Sequence, residues 1–128
     1  MIYLDSSVAF ARILAEERRP PESFWDAELL SSRLLVYELR TRLNARGLDD
    51  TYSRAASALA ARVLLIDMSE LALARAIDPF PVELRTLDAL HLATLIWAAE
   101  QGKEIALATY DRRMSACAAA LGVSVLPL

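Results

Sequence analysis

Apolar positions along this chain fall into short continuous runs that alternate with longer stretches of helical spacing. Met1 to Leu4, Ala27 to Ser31, Val63 to Ile66, Glu104 to Ala108 and Val123 to Leu126 read as five short strands. Helical spacing covers Val8 to Leu14, Arg33 to Arg46, Asp49 or Asp50 to Arg62, the stretch from Ser69 through Ile77, Leu87 to Gln101, and Asp111 to Leu121, with a short helical piece at Glu22 to Asp26. Pro20-Pro21 and Asp78-Pro79-Phe80-Pro81 break the chain. Ser32 and Ser69 suit helix starts; Gly47, Gly102 and Gly122 suit helix ends. Strands alternating with helices predict an α/β fold with a mainly parallel sheet and right-handed crossovers. The length, 128 residues, predicts one domain over 1–128, without repeat or linker.

One helix breaks the simple pattern. Leu87 to Ala99 is almost continuously apolar, yet it opens with Asp88 and carries His91 one turn later. Asp88 gains there from the positive end of the helix dipole. Three more acids sit where a sheet of this kind binds ligands, outside the carboxyl ends of its strands, or within reach of that edge. Asp5 leaves the first strand, Asp111 leaves the fourth, and Glu38 lies between Leu35 and Leu39 inside the second main helix. Each has an ordinary explanation. Asp5 and Asp111 can cap the helices that follow, for about 1 kcal/mol. Glu38 can pair with Arg42, four residues on, for a few tenths of a kcal/mol. Capping does not explain why two acids end strands of one sheet, nor why Glu38 has apolar neighbours.

Four carboxylates in one crevice repel, and some must take up protons unless a cation relieves them. Oxygen-only donors favour Mg²⁺ or Mn²⁺ over zinc. Such a centre suits phosphodiester hydrolysis, because a metal acidifies water and stabilises charge on phosphate. Asp5, Asp88, Asp111 and Glu38 are therefore the candidate metal and catalytic residues. Ser6 and Thr109 could orient waters or a carboxylate beside them, although capping and turn hydrogen bonds are equally good roles. His91 could join the Asp88 network or serve as a structural histidine. Arg85, Arg112 and Arg113 flank two of the acids and could hold a substrate backbone or pair locally. Tyr110 could stack on a base or pack at the strand end. Trp97 and the stripe Met114, Cys117, Leu121 read as core.

Composition narrows the classes. Net charge is −3, so the chain does not announce itself as a nucleic-acid binder, yet every basic residue except Lys103 is arginine. Arginine suits bidentate phosphate contacts. It also follows from a GC-rich genome. The lone Cys117 excludes an internal disulfide and fits a reducing cytoplasm. No run reaches the roughly 18 apolar residues of a membrane span, and Met1 to Asp5 has no basic start of a signal peptide. The hydrophobic fraction, 55%, leaves an excess that a partner could cover; a monodisperse monomer in light scattering would count against this.

Met1-Ile2-Tyr3-Leu4-Asp5-Ser6-Ser7, the lone Glu38, Leu87-Asp88-Ala89-Leu90-His91-Leu92-Ala93 and Thr109-Tyr110-Asp111-Arg112-Arg113-Met114 together resemble PIN-domain proteins, most closely the VapC group of toxins from bacterial toxin–antitoxin pairs. The resemblance covers the whole chain in order and length. It implies a PIN-like three-layer fold, a five-stranded parallel sheet with helices on both faces. It implies a Mg²⁺- or Mn²⁺-dependent endoribonuclease acting on structured RNA such as tRNA or rRNA, with Asp5, Glu38, Asp88 and Asp111 as its acids. It also implies a homodimer held inactive by a cognate antitoxin that covers an apolar groove. Three rivals remain. A phosphotransfer receiver domain needs an acidic neighbour for Asp5 and a lysine ending a late strand; Asp5 has no such neighbour, and Lys103 precedes its strand. A catalytically idle binding module and a DNA-directed flap-type nuclease are separated by metal titration and by paired RNA and DNA substrates.

Overall fold

A computed structural model describes all residues, 1–128. Four strands, β1 (Ile2–Leu4), β2 (Leu29–Ser32), β3 (Val63–Ile66) and β4 (Ala106–Ala108), pair in parallel in the order β3-β2-β1-β4. Six helices surround them: α1 (Ser6–Ile13), α2 (Leu34–Ala45), α3 (Asp49–Ala60), α4 (Glu70–Ile77), α5 (Thr86–Glu100) and α6 (Arg112–Ala120). A short 3-10 turn, Glu22–Asp26, tucks Phe24 and Trp25 into the core.

Period-two alternation along the strands builds the layers. Leu4, Leu29, Val63 and Ala108 pack on one face with apolar residues of α1, α2 and α3. Tyr3, Leu30 and Leu107 face the other way, onto Leu92 and Leu95 of α5 and Met114 and Cys117 of α6. α4 lies against α5. All four residues of β2 are buried, as expected for a strand covered on both faces. Leu71, Leu73 and Ile77 of α4 and Leu64 of β3 remain exposed. No helix is long and apolar enough to cross a membrane.

The fifth strand expected at Val123 to Leu126 is the one correction to the architecture. That segment makes a single parallel bridge, Val125 to Leu107, through bonds from Leu107 N to Ser124 O (2.8 Å) and Leu126 N to Leu107 O (2.8 Å). The next residue, Pro127, has no N–H with which to extend the ladder.

The helix ends follow local chemistry. Ser69 Oγ accepts from Ala72 N (3.0 Å) and starts α4. Ser32 acts one residue earlier than a regular cap, accepting from Leu34 N (3.2 Å) while Arg33 holds the cap position. Gly47 closes α2 at φ +67. Ala15 does the same after α1 at φ +50, the one non-glycine residue in the left-handed region. There its Cβ crowds the backbone at a cost of about 1–2 kcal/mol. Ala15→Gly removes that clash but adds freedom to the unfolded chain. Urea unfolding of this variant is expected to show a net gain of up to about 1 kcal/mol, with an unchanged m-value.

Candidate active site

Strand order places the site. β1 is followed outward by β2 and β3 on one side and by β4 on the other, so the direction in which strands are added reverses between β1 and β4, although all run parallel. Crevices of parallel sheets open at such a switch, beyond the carboxyl ends of the strands. Asp5 follows β1 there, and Thr109 and Asp111 follow β4. The Asp5 backbone N–H donates to Ala108 O (3.1 Å), which fastens the two strand exits together.

Asp5 is 3% exposed, and one of its oxygens is crowded with donors. Oδ2 accepts from Ser7 N (3.3 Å), Ser7 Oγ (2.5 Å) and Thr109 Oγ1 (2.8 Å). Capping of α1 thus uses Oδ2 alone and leaves Oδ1 without a protein donor. Thr109 Oγ1 also accepts from Asp111 N (3.0 Å), so one hydroxyl links both strand-end acids. Asp111 caps α6 through Oδ1, which accepts from Met114 N (2.8 Å), and its second oxygen is likewise open. Ser7 Oγ accepts from Tyr110 N (2.9 Å) and completes the clasp.

Asp88 occupies the first turn of α5 with no protein donor on its carboxylate. Burial pushes its carboxyl above the usual aspartate range, and the charges of Asp5, Asp111 and Glu38 push it the same way. Asp88 therefore feels the other three acids across the crevice. As the side chains stand, no three His, Cys, Asp or Glu residues are gathered tightly enough to clasp an ion by themselves. The donor set nevertheless suits a hydrated divalent ion. It offers unengaged carboxylate oxygens on Asp5, Asp88 and Asp111, and Mg²⁺ keeps several waters while using one or two carboxylates.

Glu38 is built differently. It is 1% exposed, and both oxygens are engaged: His91 Nε2 donates to Oε1, while Ser6 Oγ (3.0 Å) and Arg42 (3.1 Å) donate to Oε2. Burial pushes this carboxyl up, but the donors on it, His91 first, outweigh burial and hold it below the usual glutamate range. Behind it, the Tyr3 hydroxyl accepts from Ser32 N (3.0 Å) and donates to His91 Nδ1 (2.8 Å). His91 thus serves Glu38 and Tyr3 rather than Asp88, one turn before it. Residues three apart share a helix face, but this imidazole reaches inward to the sheet, where a buried phenol and a buried carboxylate both need partners.

Arg85, Arg112 and Arg113 come together around Asp88 and Asp111, forming a pocket of about 300 Å³ lined by those five charged residues alone. Trp97, half-buried against the cluster that includes Leu92 and Leu95, and the fully buried Met114 and Cys117 are core, as expected. Tyr3 and Ser7 were not singled out from sequence. Tyr3 left a signal, a lone phenol in an otherwise aliphatic strand, which needs a polar partner when buried. Ser7 left none that separates it from Ser6.

No curated relative matches the sequence. A family model described as the PIN domain, a family whose members are generally metal-dependent nucleases, matches residues 2–120. That span contains all four strands, all six helices and every acid of the crevice, and the chain belongs to the PIN-domain family.

Proposed function

We propose that this protein is a Mg²⁺- or Mn²⁺-dependent endoribonuclease, the toxin of a type II toxin–antitoxin pair acting on structured RNA in the cytoplasm. The observation that carries the nuclease reading is the meeting of Asp88 and Asp111 with Arg85, Arg112 and Arg113 in one wholly charged pocket at the sheet's switch point, where Asp5 also leaves its strand. The toxin assignment rests on the motif resemblance in the sequence. It brings with it a homodimer and a cognate antitoxin as partners.

The residues divide the work. Asp5, Asp88 and Asp111 hold the metal directly or through water. The metal, when bound, supplies charge stabilisation on the phosphate and acidification of water. Arg85, Arg112 and Arg113 take the phosphate oxygens in bidentate fashion. Thr109 and Ser7 hold Asp5 so that its free oxygen keeps one direction. Glu38, locked by His91, Ser6 and Arg42, contributes a fixed negative charge that favours cation binding and orients attacking water.

The test pairs RNA and DNA oligonucleotides of one sequence with Mn²⁺, Mg²⁺ or EDTA. Cleavage of RNA within the strand, abolished by EDTA and restored by Mn²⁺, is the expected outcome. Metal-independent cleavage, or no cleavage of any structured or unstructured RNA, would remove the proposal. Preference for DNA would replace it with a DNA-directed nuclease.

A further inference from the structure

The acid pocket does not end at the acids. Asp111 and Arg112 line it and also line a neighbouring cavity of about 430 Å³, which runs past Thr109 and Tyr110 and along the Ser115 side of α6 to the segment at Leu126. The two cavities meet at Asp111 and Arg112, and their chemistry differs. The first is wholly charged. The second mixes an aromatic ring and small aliphatic side chains with Arg18, Arg112 and Asp111.

The ring is Tyr110, and it is mounted on the active-site frame. Its backbone N–H donates to Ser7 Oγ (2.9 Å), the same hydroxyl that donates to Asp5. The Arg18 guanidinium lies over the ring, 4.6 Å from its centre, and is steadied by a bond to the Leu128 carbonyl (2.9 Å). A guanidinium stacked on a phenol presents a flat, positively charged π-surface. Aromatic faces beside a basic track are what single-stranded nucleic acids bind, because every base has a π-face and every linkage a negative charge. The cavity lies within the usual range for small ligands, about 300–1,000 Å³. In a chain of net charge −3, affinity for a polyanion has to come from such local arginines.

We propose that this second cavity is the subsite for the nucleotide adjoining the cleaved bond on a single RNA strand, its base stacking on the Tyr110–Arg18 pair and its outer phosphate held by Arg18 and Arg112. The inference rests on the nuclease reading and extends it. Cleavage then requires an unpaired nucleotide beside the scissile linkage, because a base in a duplex cannot reach the ring.

The experiment measures binding of a fluorescently labelled, unstructured RNA oligonucleotide by anisotropy in EDTA, across a salt series, together with steady-state cleavage in Mn²⁺. Tyr110→Ala is expected to weaken binding about 5- to 100-fold and to raise KM, whereas Tyr110→Phe keeps the ring and binds like the parent. Arg18→Ala, at an exposed position whose loss does not threaten the fold, is expected to flatten the slope of log K against log salt by about 0.7. Equal binding by the parent, Tyr110→Ala and Arg18→Ala, with the parent still cleaving, overturns the subsite and leaves the nuclease standing. A parent that neither binds nor cleaves RNA overturns both. If Tyr110→Ala fails to fold, the Arg18→Ala salt slope decides alone.

Discussion

Asp88→Asn is expected to melt higher than the parent at neutral pH and to have lost its cleavage. The carboxyl of Asp88 is pushed up by burial and by Asp5, Asp111 and Glu38, so the folded protein binds its proton more tightly than the unfolded chain does. The sign follows from linkage. A group raised in the folded state favours folding while protonated, below about pH 3.9, and that contribution disappears as pH rises through the folded value. At neutral pH the charge is a burden on the fold. An amide of the same shape removes the burden, so the variant's advantage in melting temperature shrinks towards zero as pH falls below about 3.9. Activity runs the opposite way. Even partners that only orient metal ligands cost about 10–100-fold when lost, so with Asp88 in its proposed role of holding the metal, its replacement is expected to cost more than about 100-fold in cleavage. Mn²⁺ completes the test: it is expected to raise the parent's melting temperature and to leave Asp88→Asn nearly unmoved. A variant that still cleaves in Mn²⁺, or that melts lower at neutral pH, would contradict this account.

The second large effect is expected at His91. Replacing it with leucine fills the space but leaves the Glu38 carboxylate, 1% exposed, without the donor on Oε1, and leaves the Tyr3 hydroxyl without its acceptor. Leaving a buried polar group without its hydrogen-bond partner costs about 1–3 kcal/mol, and this change leaves two. Replacing both members by apolar groups is far milder, so His91→Leu combined with Glu38→Met is expected to recover at least half of the loss. Urea titrations of the four proteins in this cycle measure the coupling directly. The pH dependence separates Glu38 from Asp88. Glu38 is held below its ordinary range, so its contribution is fully present above about pH 4.3 and is lost as pH falls through the folded value. Glu38→Gln is therefore expected to lose part of the acid sensitivity that Asp88→Asn exaggerates. Additive single variants would mean that His91 and Glu38 do not act as a unit.

Both expectations turn on chemistry that the sequence reveals unevenly. Strand exits are local facts. A run such as Met1 to Leu4 ending in Asp5 places an acid at the sheet edge whatever the rest of the chain does, and the same holds for Asp111 after Ala108. Caps are equally local, which is why Ser69, Gly47 and Asp111 sit where spacing puts them. The last strand was less legible. Val123 to Leu126 has strand composition, but whether it pairs depends on a three-residue neighbour and on Pro127, and the result is one bridge. The partners of His91 were not legible at all from position. Helical spacing brings His91 under Asp88, and only the tertiary fold brings Tyr3, 88 residues away, and Glu38, 53 residues away, to its two nitrogens. Ser6 and Ser7 show the same limit: neighbours in sequence, one holds Glu38 and the other Asp5.

The clasp between Asp5 and Thr109 joins residues 104 positions apart. Synthesis delivers a chain from its N-terminus, and contacts of such long separation form only when both ends are available. Asp5 is thus made before its hydroxyl partner, β4 and Asp111. A nascent chain therefore carries no assembled crevice until β4 and Asp111 have emerged to meet β1. The order of translation thus withholds the complete crevice until the β4 side has been made, however early Asp5 is in place.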